Sequence, residues 1–175
     1  ENKWNVKIQN EPGMRSVNMF DAAVGGQFKG IYIQGEDFLQ SEPNTQHIEE
    51  AFGSMDCVVV QDLFLTETAN FAHVFFPATS FLEKNGTFTN AERRINRVRP
   101  IMEPITGKHE WEITQELAAA MGYEMNFESS EEILNEIAEL TPTFTGVSFK
   151  KLDEVGSLQW PCNESAPLGT PIMHV

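Results

Sequence analysis

Apolar runs alternate with amphipathic segments along the first 77 positions of the chain. Two amphipathic segments, residues 16–26 and 41–55, carry apolar side chains at helical spacing and glycine near the end, so each predicts a short helix. Three apolar runs, at residues 30–34, 57–61 and 73–76, are rich in β-branched and aromatic residues and predict strands. Runs that are apolar throughout are typical of strands covered on both faces. The pattern predicts an α/β fold with an open parallel, doubly wound (Rossmann-like) sheet.

The pattern changes after the third predicted strand. A polar stretch around Asn85-Gly86 predicts a turn. Residues 109–122 then show apolar side chains at helical spacing, and residues 129–140 begin with a Ser129–Glu132 capping box. We therefore expect a mainly helical C-terminal part.

Three parts follow from this order of elements. They are a lead-in over residues 1–15, an α/β part over 16–100, and a helical part over 101–175 that packs on the α/β part or on a neighbouring domain. The sequence lacks an initiator Met and a signal peptide, so we expect an internal fragment of a longer protein and favour a cytoplasmic location. No apolar run approaches the ~18 residues of a membrane span.

Charge and cysteine usage narrow the possible functions. The net charge of −14 repels phosphate backbones, so we expect no nucleic-acid partner. Cys57 and Cys162 are far apart and neither belongs to a C-x-x-C pair, which argues against an iron–sulfur or zinc site in this chain. Cys57 lies in an apolar run and is expected to be buried. The four histidines share no ligand-like spacing, so we predict no metal site.

A polar residue at the end of the second predicted strand is a candidate ligand contact. Ligands of open parallel sheets bind at the carboxyl ends of the strands, which is where Asp62 lies. Its carboxylate can accept the two parallel N–H groups of guanine, or it can cap the short helix that follows. Thr66 and Thr68 in that helix offer hydroxyl groups to a phosphate or ribose, or act as local caps.

Four arginines form the only dense basic cluster of this acidic chain. Their planar side chains suit phosphate or carboxylate ligands, and ion pairing with acidic neighbours is the alternative. The chain has no G-x-G-x-x-G or Walker-type loop, so a standard dinucleotide or ATP site is not indicated. The four residues are Arg93, Arg94, Arg97 and Arg99.

The stretch VVVQDLFLTETANFAHVFFPATSFLEKNGTFTNAERRINRVRP, residues 58–100, resembles the molybdopterin oxidoreductase family. It is most similar to the catalytic α subunits of formate dehydrogenases. The flanking stretches MFDAAVGGQFKGIYIQGED, EWEITQELAAAMGY and GSLQWPC agree, so the resemblance covers roughly residues 16–162. Nitrate reductases and a respiratory complex I subunit share parts of the pattern.

The resemblance implies a cofactor. In this family two pterin dithiolenes hold molybdenum or tungsten, and each carries a guanosine diphosphate tail (bis-molybdopterin guanine dinucleotide). The tails lie in crevices of two α/β domains, and this chain resembles part of one of them. The cofactor-binding residues that the resemblance implies are Gly35, Glu36, Asp37, Asp62, Thr66, Glu83, Gly86, Thr89 and Asn90.

The family's catalytic groups are missing from this chain. The metal ligand is a Cys or selenocysteine followed by His, whereas Val58 and Asn163 follow the two cysteines here. The four-cysteine [4Fe-4S] motif is also absent, so we expect the fragment alone to be inactive. The resemblance implies a parent enzyme that oxidises formate to carbon dioxide and passes electrons to iron–sulfur clusters. Its partners would be the remainder of the α subunit and electron-transfer subunits. A nitrate reductase and a non-catalytic electron-transfer scaffold of complex I type are the alternatives.

Overall fold

The computed structural model describes residues 1–173, so His174 lies outside the described residues. The chain divides into two compact units, Glu1–Pro77 and Ala78–Val175. This division comes earlier than the expected boundary at residue 100, because the residues after Pro77 contribute strands to a second sheet.

The first unit is built on a three-stranded parallel sheet, which confirms the predicted α/β class with a parallel sheet and the predicted strand positions. Its strand order is β1-β2-β3, with Ile33 opposite Val60 and Val60 opposite Phe75. Asn44 caps the helix of the second amphipathic segment, because its side chain accepts the backbone N–H of His47. The elements are α1 Ser16–Val24, β1 Gly30–Gln34, α2 Phe38–Ser41, α3 Thr45–Gly53, β2 Cys57–Asp62, a 3₁₀ helix Thr68–Phe71 and β3 Val74–Pro77.

The helices of the first unit cover one face of this sheet. Phe20 of α1 packs edge-on against Phe52 of α3 with ring centroids 5.8 Å apart, and both lie in one core with Ile33, Val58 and Val60. The side chains that alternate with these strand residues point to the opposite face.

That opposite face is the more exposed one. Tyr32 is 38% exposed and Val74 is 43% exposed. Cys57 belongs to the same face and is exposed, so the expectation that it is buried was wrong. Its apolar neighbours Val58 and Val60 are buried because they point to the helices, whereas Cys57 stands at the beginning of the strand and points away from them.

The second unit contains an antiparallel sheet that the hydrophobic pattern did not predict. Its strand order is β4-β5-β6, and the last strand comes from the region expected to be helical. The predicted turn at Gly86 was wrong, because Gly86 opens β4 and the chain reverses at residues 90–93. The elements are β4 Gly86–Thr89, β5 Arg94–Val98, α4 Glu110–Ala120, α5 Ser130–Leu140, α6 Phe149–Val155 and β6 Ser157–Gln159.

The core of the second unit joins the sheet to two of the unit's three helices, α5 and α6. Ile95 and Leu158 of the sheet, Leu134 of α5 and Leu152 of α6 are all nearly inaccessible to solvent. Half of the predicted capping box of α5 is confirmed, since the Ser129 side chain accepts the N–H of Glu132. The Glu132 carboxylate accepts the N–H of Glu128 instead of that of Ser129. In contrast, α4 has no buried residue in this chain.

Candidate functional site

The predicted cofactor residues of the first unit follow two neighbouring strands. Gln34 of β1 lies opposite Gln61 of β2, and the N–H of Gly35 donates to the Gln61 carbonyl over 2.9 Å. The φ of Gly35 is +66°, a left-handed conformation that favours glycine, so the chain turns directly after the strand. The Gly35-Glu36-Asp37 stretch and Asp62 therefore lie at the same end of the sheet, where the carboxyl ends of β1 and β2 meet.

Asp37 is engaged inside the unit. Its Oδ1 accepts the Thr68 hydroxyl at 2.6 Å and the Thr68 backbone N–H at 3.1 Å. The Thr68 hydroxyl oxygen in turn accepts the N–H of Leu39 at 3.1 Å, and Thr68 is fully buried. This bridge ties the loop after β1 to the 3₁₀ helix. Glu36 accepts a 2.6 Å bond from the Ser41 hydroxyl at the surface.

Asp62 retains an unused carboxylate oxygen. Its Oδ1 accepts the N–H of Leu63 at 2.6 Å, while Oδ2 has no hydrogen-bond partner among residues 1–173. The capping alternative is wrong, because Glu67 occupies the N-cap position of the 3₁₀ helix. Thr66 makes a local bond instead, since its hydroxyl oxygen accepts the N–H of Ala69 at 3.4 Å.

A buried amide next to Asp62 was missed at the level of sequence. Gln61 is fully buried, and its Oε1 accepts bonds from the Tyr32 hydroxyl and from the Gln34 amide. Its Nε2 has no partner within the described part of the chain. The sequence signal was the polar Gln61 at the end of an otherwise apolar strand.

Glu83, a predicted cofactor residue of the second unit, is buried and fully used. Its Oε2 accepts the N–H and the hydroxyl of Ser80, each at 2.7 Å, and its Oε1 accepts the N–H of Ile105 at 2.7 Å. The bond from Ile105 and the two from Ser80 hold the pKa of Glu83 below its ordinary value. Glu83 thus fastens the loop before β4 to the segment before α4.

A second carboxylate fastens the same loop. Glu110 accepts the hydroxyl and the N–H of Thr79 and pairs with the Lys84 ammonium at 2.6 Å. Burial raises the pKa of Glu110, but the hydrogen bonds from Lys84 and Thr79 outweigh burial, so this pKa lies below its ordinary value. Sequence reasoning missed this contact, because Glu110 looks like an ordinary acidic residue in the first turn of a helix.

The remaining predicted residues lie on the β4–β5 hairpin. Asn90 closes its turn, because its Oδ1 accepts the N–H groups of Glu92 and Arg94, each at 3.0 Å. Thr89 is exposed. Gly86 lies beside a cavity of about 130 Å³, and a Cβ placed on it meets no atom within 4 Å. No steric contact with residues 1–173 therefore requires glycine at position 86.

The arginine cluster is occupied by contacts within the second unit. Arg97 pairs with Asp153 at 3.3 Å and stacks on Phe149, with the guanidinium carbon 3.5 Å from the ring centroid. Arg99 pairs with the same carboxylate. Arg93 has a φ of +65° and donates to backbone carbonyls, including that of Trp160. Arg94 donates to the hydroxyl of Ser157. Arg94 also pairs with the Glu92 carboxylate at 3.7 Å, so the ion-pairing alternative describes Arg94, Arg97 and Arg99.

Residues 1–173 contain neither a metal-binding cluster nor a helix suited to span a membrane. No three His, Cys, Asp or Glu side chains within residues 1–173 are grouped closely enough to hold a metal ion. No helix in the same part of the chain has both the length and the apolar character needed to cross a membrane.

Comparison with solved structures identifies the fold. Acetylene hydratase from Pelobacter acetylenicus matches 82% of this chain and 20% of its own chain with a TM-score of 0.67. The identity is 22%, so this likeness shows the fold alone.

Comparison with sequences identifies the family. A formate dehydrogenase subunit alpha of Methanococcus maripaludis is 42% identical over 99% of this chain and 26% of its own length. A putative formate dehydrogenase of Staphylococcus aureus is 40% identical over 100% of this chain and 18% of its own length. A probable oxidoreductase of Bacillus subtilis is 41% identical over 93% of this chain and 17% of its own length. The chain thus spans about a sixth to a quarter of the length of these relatives. The sequence profile named molybdopterin oxidoreductase matches residues 4–120, and the chain belongs to this family.

Proposed function

We propose that this chain is part of a formate dehydrogenase α subunit and holds the guanosine diphosphate tail of a molybdopterin guanine dinucleotide. The observation that carries the proposal is the position of Asp62. It ends the central strand of a parallel sheet, and its Oδ2 has no partner among residues 1–173. The roughly 40% identity to a formate dehydrogenase alpha subunit over nearly the whole chain supports the choice of parent.

The residues of the first unit fit a guanine nucleotide. A carboxylate at the carboxyl end of a central parallel strand lies where α/β proteins bind nucleotides. Oδ2 of Asp62 is available to one N–H of guanine, and Oδ1 has a second lone pair beyond its bond to Leu63. The Thr66 hydroxyl still has its hydrogen to donate to a phosphate or ribose oxygen, because its 3.4 Å bond uses it as an acceptor.

The other predicted residues fall into three groups. Gly35 and Gly86 leave space at the backbone, since a Cβ on either meets no atom of residues 1–173 within 4 Å. This space would allow a ligand to come close to the backbone. Asp37, Glu83 and Asn90 are already bonded within the chain, so we assign them to positioning the loops. Glu36 and Thr89 lie at the surface and are available to a ligand.

The bound metal would supply the redox chemistry of the parent enzyme, taking up the electrons of formate for iron–sulfur clusters and electron-transfer subunits. The part of this chain is to bind and orient one tail of the cofactor. Because the metal-ligand Cys-His pair and the cluster cysteines are not in this sequence, the 175-residue chain by itself should oxidise no formate.

The test uses the full-length α subunit that contains this chain. Purified subunit should contain molybdenum or tungsten, release a guanine nucleotide on acid hydrolysis, and reduce a dye with formate. Nitrate-dependent oxidation of a reduced dye would instead assign the parent to nitrate reduction. Folded protein with neither metal nor guanine nucleotide would make the chain a scaffold and contradict the proposal.

A further inference from the structure

The first strand of the parallel sheet has a free hydrogen-bonding edge. In the order β1-β2-β3, one side of β1 pairs with β2 and the other pairs with nothing in residues 1–173. Gly35 donates to Gln61 of β2, and the carbonyl of Lys29 accepts from Cys57. Since backbone groups alternate sides along a strand, Tyr32 and Gln34 direct their N–H and C=O groups to the free edge.

A groove follows this edge. It encloses about 420 Å³ and is lined mainly by apolar side chains of α1, β1 and α2. Exposed edge strands are usually protected by Lys, Pro or a bulge, because unpaired edges associate with other chains. The β1 sequence Gly-Ile-Tyr-Ile-Gln contains none of these protecting residues. The apolar lining includes Met19, Phe28, Ile31 and Phe38.

The handedness of the fold indicates what belongs at this edge. The β1–α3–β2 unit places α3 on the helix-covered face, and strand–helix–strand crossovers are almost always right-handed. The preceding helix α1 packs beside α3 on the same face. A strand that enters through α1 with the same handedness must therefore lie on the side of β1 away from β2.

We infer that the free edge of β1 is the docking site for one further parallel strand, supplied by a segment of the same subunit N-terminal to α1 and outside residues 1–175. This inference rests on the proposed function only in assuming a larger subunit, and the chain spans 17–26% of the length of its relatives. A second copy of the chain fits less well. Pairing about a two-fold axis perpendicular to the sheet would make the two β1 strands antiparallel, whereas a right-handed crossover through α1 requires a parallel neighbour.

Site-specific photo-crosslinking in the full-length subunit tests the inference. A p-benzoylphenylalanine in place of Tyr32 keeps an aromatic side chain at the edge and reports which peptide lies beside it. The same probe in place of Val74, which is on the same sheet face but on β3 at the opposite edge, is the matched control. We expect Tyr32 to yield an intramolecular crosslink to a peptide upstream of residue 1 that the Val74 probe does not yield.

Hydrogen exchange of the unmodified subunit gives a second readout that needs no variant. The amides of Tyr32 and Gln34 should exchange more slowly than unpaired amides by at least about a hundredfold, as paired strand amides do. Unprotected amides at both positions would overturn the inference. Crosslinks to a second copy, to another subunit, or to residues 1–15 of this chain would also overturn it.

These results are separable from the proposed function. If the subunit oxidises formate but the amides at its β1 edge exchange freely, the inferred docking strand is contradicted and the proposed function stands. If the edge amides are protected but the subunit contains no guanine nucleotide, the proposed function is contradicted and the docking strand stands.

Discussion

Replacing the buried Thr68 by valine should weaken the first unit more than any loss of packing can explain. Thr68→Val keeps the shape of the side chain and removes only the hydroxyl, which donates to Asp37 and accepts from Leu39. The substitution therefore leaves a carboxylate with one bond fewer and the Leu39 N–H without a partner. The residue is fully buried, so water does not replace the hydroxyl.

The size of the effect follows from these two bonds. A hydrogen bond to a charged group contributes roughly 1.5–3 kcal/mol, and a buried donor left unsatisfied costs about 1–3 kcal/mol. The Thr68 N–H still donates to Asp37, which retains part of the carboxylate interaction. We expect the free energy of unfolding to fall by about 2–4 kcal/mol. Thr68→Ser is the matched control, because it keeps the hydroxyl and loses one methyl group, at a cost of about 1 kcal/mol.

The assay is native-state hydrogen exchange of the β2 amides in the full-length subunit, with urea unfolding of the same unit followed in parallel. The β2 strand belongs to the core of the unit that Thr68 stabilises, so its exchange reports the opening of that unit. Asp37→Ala should remove the same interaction, and the double variant should lose less than the sum of the two single losses. Equal stabilities of the valine and serine variants would refute the assigned role of the hydroxyl.

Two further outcomes concern the second unit. Because the folded-state pKa of Glu83 is depressed, its contribution to stability is present above the ordinary carboxylate pKa and is lost as the pH falls through the folded value. The Tm difference between wild type and Glu83→Gln should therefore shrink on acidification, and a constant difference from neutral to acid pH would contradict this. Gly146→Ala places a Cβ 2.6 Å from Sγ of the buried Cys162 and should destabilise by about 1–3 kcal/mol. Addition of Cys162→Ala should recover part of that loss, and no recovery would contradict the clash.

The strands of the first unit and its two longer helices could be predicted from the sequence, because each produces a local hydrophobic pattern. Apolar runs without alternation gave the three strands, and helical spacing ending near glycine gave α1 and α3. Cys57 was misjudged because hydrophobic neighbours do not reveal which face of a strand is covered. Alternate residues of β2 point to opposite faces, but this shows which of them are buried only when the position of the helices is known.

The second sheet was not readable, because its signals are weak and distant. β4 and β5 are short and mostly polar, and β6 is a three-residue strand that pairs with β5 from far along the chain. Helical spacing in the same region correctly predicted α4 and α5 but gave no hint of β6.

Only part of the candidate site could be predicted from the sequence. The position of Asp62 at a strand end follows from the pattern, whereas the bonds that occupy Asp37 and Glu83 depend on Thr68 and Ile105, which only the folded chain brings near. Buried partners of this kind are set by tertiary packing. For this reason the family resemblance groups Asp62 with Asp37 and Glu83, although Asp37 and Glu83 are bonded within the chain and Asp62 keeps an oxygen without a partner among residues 1–173.

The cofactor content of an Asp62→Asn variant tests the central claim most directly. In the full-length subunit the substitution places an amide N–H₂ where guanine presents its own N–H donors, and one unsatisfied donor costs roughly 1–3 kcal/mol, or about a five- to hundredfold loss in affinity. Asp56→Asn, which removes the same charge beside the amino end of β2, is the control. We predict that Asp62→Asn lowers guanine nucleotide and metal per folded subunit while its Tm before cofactor insertion and the Asp56→Asn variant stay near wild type. Full cofactor content in Asp62→Asn would contradict the claim that Asp62 binds guanine.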